Sequence, residues 1–252
     1  MIRSGVVLPT FRDRPDEAMA AAEAAVDAGV DGLFCYDHLW PIGQPERPAL
    51  APFPLLGALA ARFGPRQDGA DAGPYFGTLV ARIGLVPHAV LAAEFVALHG
   101  LAPGRVIAGL GTGDKLSAEE NQAYGIDFPP AAQRRSEVVT LAGELARAGI
   151  VTCVAGGPAG RPDEARASGA ALNVWNADPT LVRERSTGTE PLEVTWAGPP
   201  TEAPAMAETV DLMAEAGATW VVFGWPVDVD ALAAAAHGAS PAPSSGAVSP
   251  QP

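Results

Sequence analysis

Residues 138–157 read VVTLAGELARAGIVTCVAGG and contain one copy of the pattern that decides the fold. Val138, Leu141 and Leu145 recur at the spacing of one face of an α-helix. Gly149 follows them, where a left-handed residue commonly ends a helix, and the apolar run VTCV then predicts a buried strand. A helix, a glycine, a buried strand and a glycine-rich turn in this order predict an α/β protein with parallel strands.

The same unit recurs along the whole chain. Apolar runs alternate with helical segments, and Gly29, Gly169 and Gly217 occupy the place of Gly149. Eight such units in about 235 residues favour a single closed (β/α)8 barrel, the TIM barrel, over an open doubly wound sheet, which stays the alternative. The predicted strands are 6–8, 33–36, 78–80, 106–108, 151–154, 172–175, 192–196 and 220–223.

Three stretches interrupt this rhythm. Residues 41–54 and 63–76 are rich in Pro and Gly and flank a short apolar helix at 55–62, which predicts long loops over one end of the barrel. Residues 239–252 are mostly Ser, Pro, Ala and Gly, with little to bury. We therefore expect one barrel domain over residues 1–238 and a disordered tail after it.

Composition excludes several classes of partner. The 252 residues carry 29 acidic and 16 basic side chains, a net charge of −13, which disfavours binding to nucleic acid and to anionic membrane surfaces. No apolar run reaches the ~18 residues that span a bilayer, and the N-terminus lacks a signal-peptide pattern, so a cytoplasmic location is expected. Cys35 and Cys153 have no CxxC spacing, so we expect buried thiols and no metal site.

The residues that follow the strands are the candidates for chemistry, because barrel active sites lie at the carboxyl ends of the strands. Asp37 and His38 follow the second strand, and a histidine beside a carboxylate can transfer a proton near neutral pH. Adjacent strand residues point to opposite faces, so both can face the site only if the strand has ended. A structural histidine is the alternative for His38, whereas His88, His99 and His237 are expected to be structural.

Two glycine-rich turns could bind a phosphate through backbone N–H groups. They are GLGTG at 109–113, after the fourth strand, and the pair Gly156-Gly157, after the fifth. The first lacks the spacing of the dinucleotide fingerprint, and a purely structural turn is the alternative. Asp114, Glu119 and Glu120 follow the first turn, where they could orient a ligand or stabilise the start of a helix.

Four tryptophans are predicted at the same rim of the barrel. Flat aromatic walls suit a flat heterocyclic ligand, and simple filling of the barrel mouth is the alternative. The four are Trp40, Trp175, Trp196 and Trp225.

Three sequence segments together carry a family resemblance. They are YDHLW at 36–40, GTLV at 77–80, and AAE at 92–94 followed by LAPGRVIAGLGTG at 101–113. In order and spacing they resemble the luciferase-like flavin-dependent oxidoreductases, with similarity from about residue 2 to residue 237. The Asp-His pair with a nearby Trp, and the Gly-Thr-Gly-acid turn, resemble the branch that uses the deazaflavin coenzyme F-420 (F420 in the names of enzymes that use it).

The resemblance implies a barrel that holds FMN or coenzyme F-420 at its carboxyl-end mouth. It implies a bulge in the third strand, often with a non-proline cis peptide, at Leu79-Val80. It also implies Asp37 and His38 near the cofactor ring and Asp114 as an acidic active-site residue. The other expected cofactor contacts are Trp40, Gly111, Thr112 and Gly113, with Gly156 and Gly157 at the phosphate. A homodimer is implied as well.

The leading hypothesis is an oxidoreductase that moves a hydride between coenzyme F-420 and a small organic substrate, or a monooxygenase that uses reduced FMN and oxygen. His38 is the expected proton donor or base, Asp37 its partner and Asp114 a second acid. The family commonly has a long insertion before the fifth strand, whereas only residues 148–150 stand there. A cofactor-binding or degenerate barrel without turnover is therefore the alternative, and lyase chemistry at Lys115 a third.

Overall fold

The computed structural model describes residues 2–65 and 73–238. Its eight parallel strands close into a barrel in chain order, and β8 pairs with β1 to complete it. The predicted (β/α)8 barrel is confirmed, and the open doubly wound sheet is excluded. The strands are β1 (Arg3–Val7), β2 (Gly32–Cys35), β3 (Tyr75–Arg82), β4 (Val106–Gly111), β5 (Val151–Ala155), β6 (Ala171–Trp175), β7 (Val194–Gly198) and β8 (Ala218–Gly224).

Helices cover the outside of the barrel. Within the described ranges one helix follows each strand, except that two follow β4. They are α1 (Asp16–Asp27), α2 (Pro52–Phe63), α3 (His88–Leu101), α4 (Lys115–Ala123), α5 (Ala131–Arg147), α6 (Pro162–Ser168), α7 (Pro179–Thr187), α8 (Ala203–Glu215) and α9 (Val229–His237).

Glycines end the helices where the sequence predicts them. Gly29, Gly149, Gly169 and Gly217 all have positive φ, between +71° and +93°. This left-handed conformation costs glycine little because it has no Cβ. Each glycine leads the chain from the end of a helix back to the start of a strand.

Two apolar layers lie on the two faces of the sheet. The outer layer packs strands against helices, and the inner layer fills the barrel with Phe34, Leu79, Ile107, Cys153 and Trp220, among others. The two layers arise because successive strand residues point to opposite faces. Since the barrel interior is packed, a ligand can be bound only at its ends.

Strand β3 is irregular at its centre. Its register with β4 shifts between Thr78 and Ala81, and the Leu79-Val80 peptide is cis. At the shift the Thr78 hydroxyl donates a hydrogen bond to the Gly109 carbonyl, 2.8 Å away. The bulge and the cis bond that the family resemblance implies are therefore both present.

Both segments predicted as loops overlap regular structure, since β3 begins at Tyr75, inside the segment 63–76. Helix α2 begins at Pro52, inside the segment 41–54 expected to be a loop, because proline suits the first helical position. The short connection between α5 and β5 is confirmed. The predicted tail, 239–252, lies outside the described residues. No helix in the described ranges combines the length and the apolar character that a membrane span needs.

Candidate active site

A cavity of about 440 Å³ lies at the carboxyl ends of β2 and β3. Asp37, His38 and Arg82 line it on the barrel side. The start of α2, the helix α3 and residues that follow α4, including Tyr124, form its other walls. The cavity has the size of small-molecule sites in proteins, and it lies at the barrel end where such sites occur.

His38 is held by a glutamate from a distant part of the chain. Its Nδ1 lies 2.6 Å from Oε1 of Glu120, on α4, and the Leu39 N–H donates to the other oxygen of Glu120 at 3.0 Å. Glu120 is buried, whereas the His38 side chain is 26% exposed. Glu120 thus fixes the imidazole and leaves Nε2 as the ring nitrogen available to a ligand.

Asp37 is not the hydrogen-bond partner of His38, contrary to the sequence prediction. Strand β2 ends at Cys35, so Asp37 and His38 lie beyond the strand and both reach the site. The Asp37 carboxylate accepts a hydrogen bond from the backbone N–H of Arg82. Asp37 therefore links the end of β2 to the end of β3 and affects His38 through its charge.

Arg82, which the sequence analysis does not name, completes a buried group of charges with Asp37 and Glu120. Its side chain is 2% exposed, and its guanidinium lies 3.1 Å from Oε2 of Glu120. A Cβ on Gly113 would lie 2.7 Å from Cδ of Arg82, so glycine is required at 113 to make room for the arginine. A basic residue at the end of a predicted barrel strand was the signal available in the sequence.

This environment shifts the titration of three groups. Burial raises the pKa of Asp37 above its ordinary value, against the opposing charge of Arg82. Burial lowers the pKa of His38, but the hydrogen bond and charge of Glu120, with the charge of Asp37, outweigh burial and raise it overall. Burial likewise raises the pKa of Glu120, and its bonds to His38 and to the Leu39 N–H lower it overall. The pair therefore favours imidazolium and carboxylate.

A second cavity lies at the ends of β1 and β8, and Phe11 and Tyr36 line it. Phe11 stacks on Tyr36, with ring centroids 5.8 Å apart, and lies 6.5 Å from the His38 ring. The second cavity has a volume of about 400 Å³. Burial raises the pKa of Tyr36 to about 12, so the phenol stays neutral.

The predicted tryptophan cluster is only partly present. Trp40 is buried and stacks on Tyr124 at 5.9 Å, and Trp225 lines the second cavity. Trp175 packs against the interior layer at the end of β6. Trp196 contradicts the prediction, because it points outward into the helix layer, where its Nε1–H donates to the Ala177 carbonyl.

The glycine-rich turns pack closely on neighbouring protein atoms. A Cβ on Gly111 would lie 2.5 Å from Cγ2 of Val80, in the bulge of β3, and one on Gly156 would lie 2.1 Å from Cγ of Arg161. Gly157 adopts a φ of +74°. These glycines have structural reasons for their identity, and neither turn lines the two large cavities.

Asp114 immediately precedes helix α4. Its carboxylate accepts hydrogen bonds from the N–H and the hydroxyl of Ser117, and the Ser117 hydroxyl accepts one from the Asp114 N–H. This reciprocal pattern is typical of helix N-caps. Asp114 does not line the cavity beside His38.

Three arginines lie near the glycine turns after β4 and β5. Arg134 donates from Nε to the Thr112 carbonyl at 2.6 Å, and Arg161 packs on Gly156. Burial lowers the pKa of Arg134, and so do the charges of Arg135 and Arg161. Glu164 lies 3.5 Å from Arg135 and 3.9 Å from Arg161 and balances part of this positive charge. The Nε of Arg161 is buried without a hydrogen-bond partner among the described residues. Local positive charge with an unpartnered donor fits the phosphate of a flavin or deazaflavin cofactor.

No cluster of three or more His, Cys, Asp or Glu suited to a metal ion occurs in the part of the chain that the structure describes. Cys35 and Cys153 are buried free thiols there, and burial raises the pKa of both. His88 and His237, at helix ends, pair with Glu144 and Asp31. His99 lies within α3, as expected for a structural residue.

Part of the chain is similar in sequence to known proteins. No family model matches the chain. Its sequence relatives include dehydrogenases named for coenzyme F-420, which confirms the resemblance read from the sequence. The F420-dependent glucose-6-phosphate dehydrogenase of Microbacterium testaceum is 33% identical over 148 residues, 57% of this chain and 41% of that protein. The F420-dependent hydroxymycolic acid dehydrogenase of Mycobacterium tuberculosis is 33% identical over 142 residues, 56% of this chain and 37% of that protein.

Solved structures share the fold. One is an F420-dependent secondary alcohol dehydrogenase in complex with an F420-acetone adduct. It superposes with a TM-score of 0.72 at 14% sequence identity, and the superposition covers 95% of this chain and 99% of the dehydrogenase chain. The monooxygenase RslO1 from Streptomyces bottropensis superposes with a TM-score of 0.63 at 14% sequence identity, and the superposition covers 94% of this chain and 97% of the RslO1 chain. The chain matches about two fifths of the length of its curated relatives, so their activities do not transfer to it directly.

Proposed function

We propose that this protein is an oxidoreductase that binds coenzyme F-420 at the mouth of the barrel and transfers a hydride between it and a small organic substrate. The observation that carries the proposal is His38, fixed by Glu120 and lining a 440 Å³ cavity beside the bulged strand β3. The F420-dependent names of the sequence relatives support this choice of coenzyme. The coenzyme supplies the hydride chemistry, and the protein supplies binding and a proton.

His38 is the proposed proton donor or acceptor for the substrate, through Nε2. Glu120 holds the imidazole by Nδ1 and stabilises its charged form, as a carboxylate does for a general acid or base. Asp37 and Arg82 are positioning residues, because they join the ends of β2 and β3 and balance the charge of Glu120. Asp114 stays a proposed second acid, although its bonds to Ser117 also give it a structural role.

The cofactor contacts expected from the sequence stay proposals. Trp40, Leu79 and Val80 would border the ring, and the two glycine turns would approach the rest of the cofactor. The three arginines near those turns add a reason to place the phosphate there, since charged donors bind phosphate strongly. The turn residues are Gly111, Thr112, Gly113, Gly156 and Gly157.

A monooxygenase that uses reduced FMN and oxygen is the second candidate. The similarity in fold to a monooxygenase, at the same 14% identity as to an F420-dependent dehydrogenase, favours neither cofactor. Titration with coenzyme F-420 and, separately, with FMN distinguishes them. We expect saturable quenching of F-420 fluorescence and a raised Tm with that coenzyme, because a ligand that binds the native state stabilises it.

A barrel without turnover makes a different prediction for the same experiment. It would bind one cofactor tightly yet show no change in cofactor redox state with any alcohol or carbonyl compound. Binding of neither cofactor at tens of micromolar would overturn the proposed function. Lyase chemistry at Lys115 would appear as a borohydride-trapped adduct.

A homodimer is proposed on the surface of α3. Every exposed residue of this helix is apolar, although a surface helix usually presents polar residues to water. An apolar helix face of this kind is typical of an interface. The exposed residues are Ala89, Val90, Ala93, Val96, Ala97, Gly100 and Leu101. The cytoplasmic location expected from the sequence stays a proposal as well.

A further inference from the structure

The second cavity, at the ends of β1 and β8, is lined mainly by aromatic rings and prolines. The rings are those of Phe11, Tyr36 and Trp225, and the prolines are Pro9, Pro200 and Pro226. The planes of Phe11 and Tyr36 differ by only 14°, so the two rings present flat surfaces. Aromatic rings pack favourably on another ring, either stacked or edge-on. A volume of about 400 Å³ with such walls suits a flat aromatic ligand.

The charged residues that line the second cavity satisfy each other. Among the described lining residues they are Arg12 and Glu17. Nε and Nη2 of Arg12 donate to the two carboxylate oxygens of Glu17 at 2.5 and 3.0 Å, and Nη1 donates to the Phe11 carbonyl at 2.9 Å. The two side chains are 39% and 45% exposed, so water screens their field as well. An ion in this cavity would lose hydration without meeting an unpaired opposite charge, which favours a neutral ligand.

Thr10 places a buried hydroxyl at this cavity. The residue is 1% exposed, and its Oγ1 has no hydrogen-bond partner among the described residues. The Thr10 backbone is fixed, because its carbonyl accepts hydrogen bonds from the N–H groups of Arg12 and Leu50 at 2.9 and 2.7 Å. Buried hydroxyls in native proteins nearly always have a partner, since an unpaired one is costly. The Thr10 hydroxyl therefore indicates a ligand atom that completes its hydrogen bonding.

Tyr36 supplies a second hydroxyl to the same cavity. It follows β2, which pairs in parallel with β1, the strand that precedes Thr10. Its Oη makes no hydrogen bond within the part of the chain that the structure describes. Burial raises the pKa of Tyr36 to about 12, so the phenol keeps its proton and can donate it in a hydrogen bond. A carbonyl oxygen matches two neutral donors, because it has two lone pairs and no charge.

We propose that the second cavity is a binding site for a neutral, flat aromatic molecule that carries a carbonyl oxygen, hydrogen-bonded by the hydroxyls of Thr10 and Tyr36. Its ring lies against Trp225 and the stacked rings of Phe11 and Tyr36. The site is distinct from the cavity beside His38, because the two share no described lining residue.

The site is also distinct from the proposed contacts of the coenzyme phosphate. The glycine turns follow β4 and β5, which lie across the closed barrel from β1 and β8. The proposal therefore goes beyond the proposed function and does not depend on it.

Equilibrium dialysis of the 252-residue chain against matched naphthalene derivatives tests the ligand class. We expect one molecule of 2-acetylnaphthalene to bind per chain, with Kd of about 100 µM. 2-Naphthoate and 1-(2-naphthyl)ethylamine carry a negative and a positive charge on the same ring system. Both should bind at least about tenfold more weakly, and binding of either ion as tight as that of the ketone would overturn the proposal.

Two conservative variants test the hydrogen bonds to the carbonyl oxygen. Thr10→Val and Tyr36→Phe should each raise Kd for 2-acetylnaphthalene about fivefold, the loss of one hydrogen bond between neutral groups. Neither should change Kd for 2-ethylnaphthalene, which has no oxygen. An unchanged Kd for the ketone, or an equal loss for both compounds, would overturn the proposal.

Two further variants are matched controls for these changes. Thr187→Val removes an exposed hydroxyl on α7, and Tyr124→Phe removes a phenol hydroxyl at the cavity beside His38. Both should leave Kd for 2-acetylnaphthalene at the wild-type value. A rise in Tyr124→Phe as large as that in Tyr36→Phe would place the ligand beside His38 and overturn the proposal.

Trp225→Leu tests the contribution of the aromatic wall. It should raise Kd for 2-acetylnaphthalene about fivefold more than Kd for 2-acetyldecalin, whose rings are saturated, because only the aromatic compound loses a ring–ring contact. Equal effects on the two compounds would show that the site does not select an aromatic ring.

The same titration in the presence of coenzyme F-420 separates this proposal from the proposed function. Saturating coenzyme should leave Kd for 2-acetylnaphthalene unchanged, and a Kd that rises in proportion to coenzyme concentration would show that the coenzyme occupies this cavity and overturn the proposal. If the coenzyme does not bind at all, the proposed function fails, whereas the dialysis series and its variants still decide whether the second cavity is a binding site.

Discussion

The Nδ1 atom of His38 lies 2.6 Å from Oε1 of Glu120, although the two residues are 82 positions apart in the chain. The contact joins the end of β2 to helix α4, across the end of β3 that Arg82 occupies. A histidine in such a contact has a fixed orientation and a stabilised charged form. The contact therefore makes His38 suitable for proton transfer in the proposed reaction.

Replacement of His38 should lower the rate of the chemical step. If His38 transfers the proton, His38→Ala lowers kcat by about 10²-fold or more and changes Kd for the coenzyme little. Steady-state kinetics and coenzyme titration measure the two effects. His237→Ala, which removes a histidine paired with Asp31 at the opposite end of the barrel, is the control and should keep wild-type kcat. An unchanged kcat in His38→Ala would remove this residue from the mechanism.

The pH dependence of activity should report the His38–Glu120 pair. Carbonyl reduction needs protonated His38, so its rate falls as pH rises through the pKa of His38, which lies above its ordinary value. Alcohol oxidation needs neutral His38, so its rate rises over the same range. Glu120→Gln removes the hydrogen-bonded charge that raises this pKa and should move both midpoints to lower pH.

The exposed neighbour Glu119 provides a matched control for that shift. Glu119→Gln makes the same chemical change one residue away, outside the contact with His38, and should leave both pH profiles where they are. The assignment is wrong if the midpoints of Glu120→Gln coincide with those of the wild type.

Arg82 should contribute strongly to stability. Arg82→Met leaves the buried carboxylates of Asp37 and Glu120 without their cation, which we expect to lower the free energy of unfolding by about 3–5 kcal/mol at neutral pH. This loss of stability should be smaller at acidic pH, because protonation removes the unpaired negative charge of the two carboxyl groups. Urea unfolding of the variant and of the wild type at several pH values measures the difference in free energy of unfolding.

Arg62→Met is the matched control for Arg82→Met. Arg62 pairs with Glu23, but their side chains are 47% and 50% exposed. Exposed pairs contribute little, so this change should cost at most about 1 kcal/mol. Equal losses in the two variants would show that the buried pair has no special role.

The barrel could be predicted from the sequence because its signals are local. Buried strands recur eight times, and each strand signal lies within a few residues. The glycines that end four of the helices, Gly29, Gly149, Gly169 and Gly217, are equally local signals. Likewise, the residues after β2 were identified because strand ends are where barrel sites lie.

The contacts within the site could not be predicted in the same way. The partner of His38 depends on where α4 crosses the mouth, and neither Glu120 nor Arg82 lies near His38 in the chain. Trp196 is predicted at the rim but packs in the outer helix layer, because a position at a strand end does not say which face of the sheet a side chain takes. A shift of one residue along the strand would turn the side chain to the barrel interior. Asp114 is predicted as a second acid of the site, with stabilisation of a helix start as the alternative, and its bonds to Ser117 are of the second kind.

The arginines near the glycine turns should determine coenzyme affinity. Arg161→Gln removes a cation whose Nε lacks a hydrogen-bond partner among the described residues, and we expect Kd for coenzyme F-420 to rise about tenfold, the cost of one charge-assisted hydrogen bond. Fluorescence titration measures Kd. Arg147→Gln makes the same change at the carboxyl end of α5, the end opposite Arg134, and should leave Kd unchanged. A wild-type Kd in Arg161→Gln would move the phosphate away from the Gly156-Gly157 turn.

The apolar face of α3 should decide the oligomeric state. Val96 is 51% exposed, and every exposed residue around it on the helix is apolar, so a carboxylate at this position would be buried without a partner in a dimer. We expect the wild type to be a dimer and Val96→Glu a folded monomer, as measured by light scattering and circular dichroism. Leu212→Glu places the same charge at a 41% exposed leucine on α8 and should remain dimeric. A monomeric wild type, or a Val96→Glu protein that stays dimeric, would exclude α3 as the interface, because the charge could then remain in water.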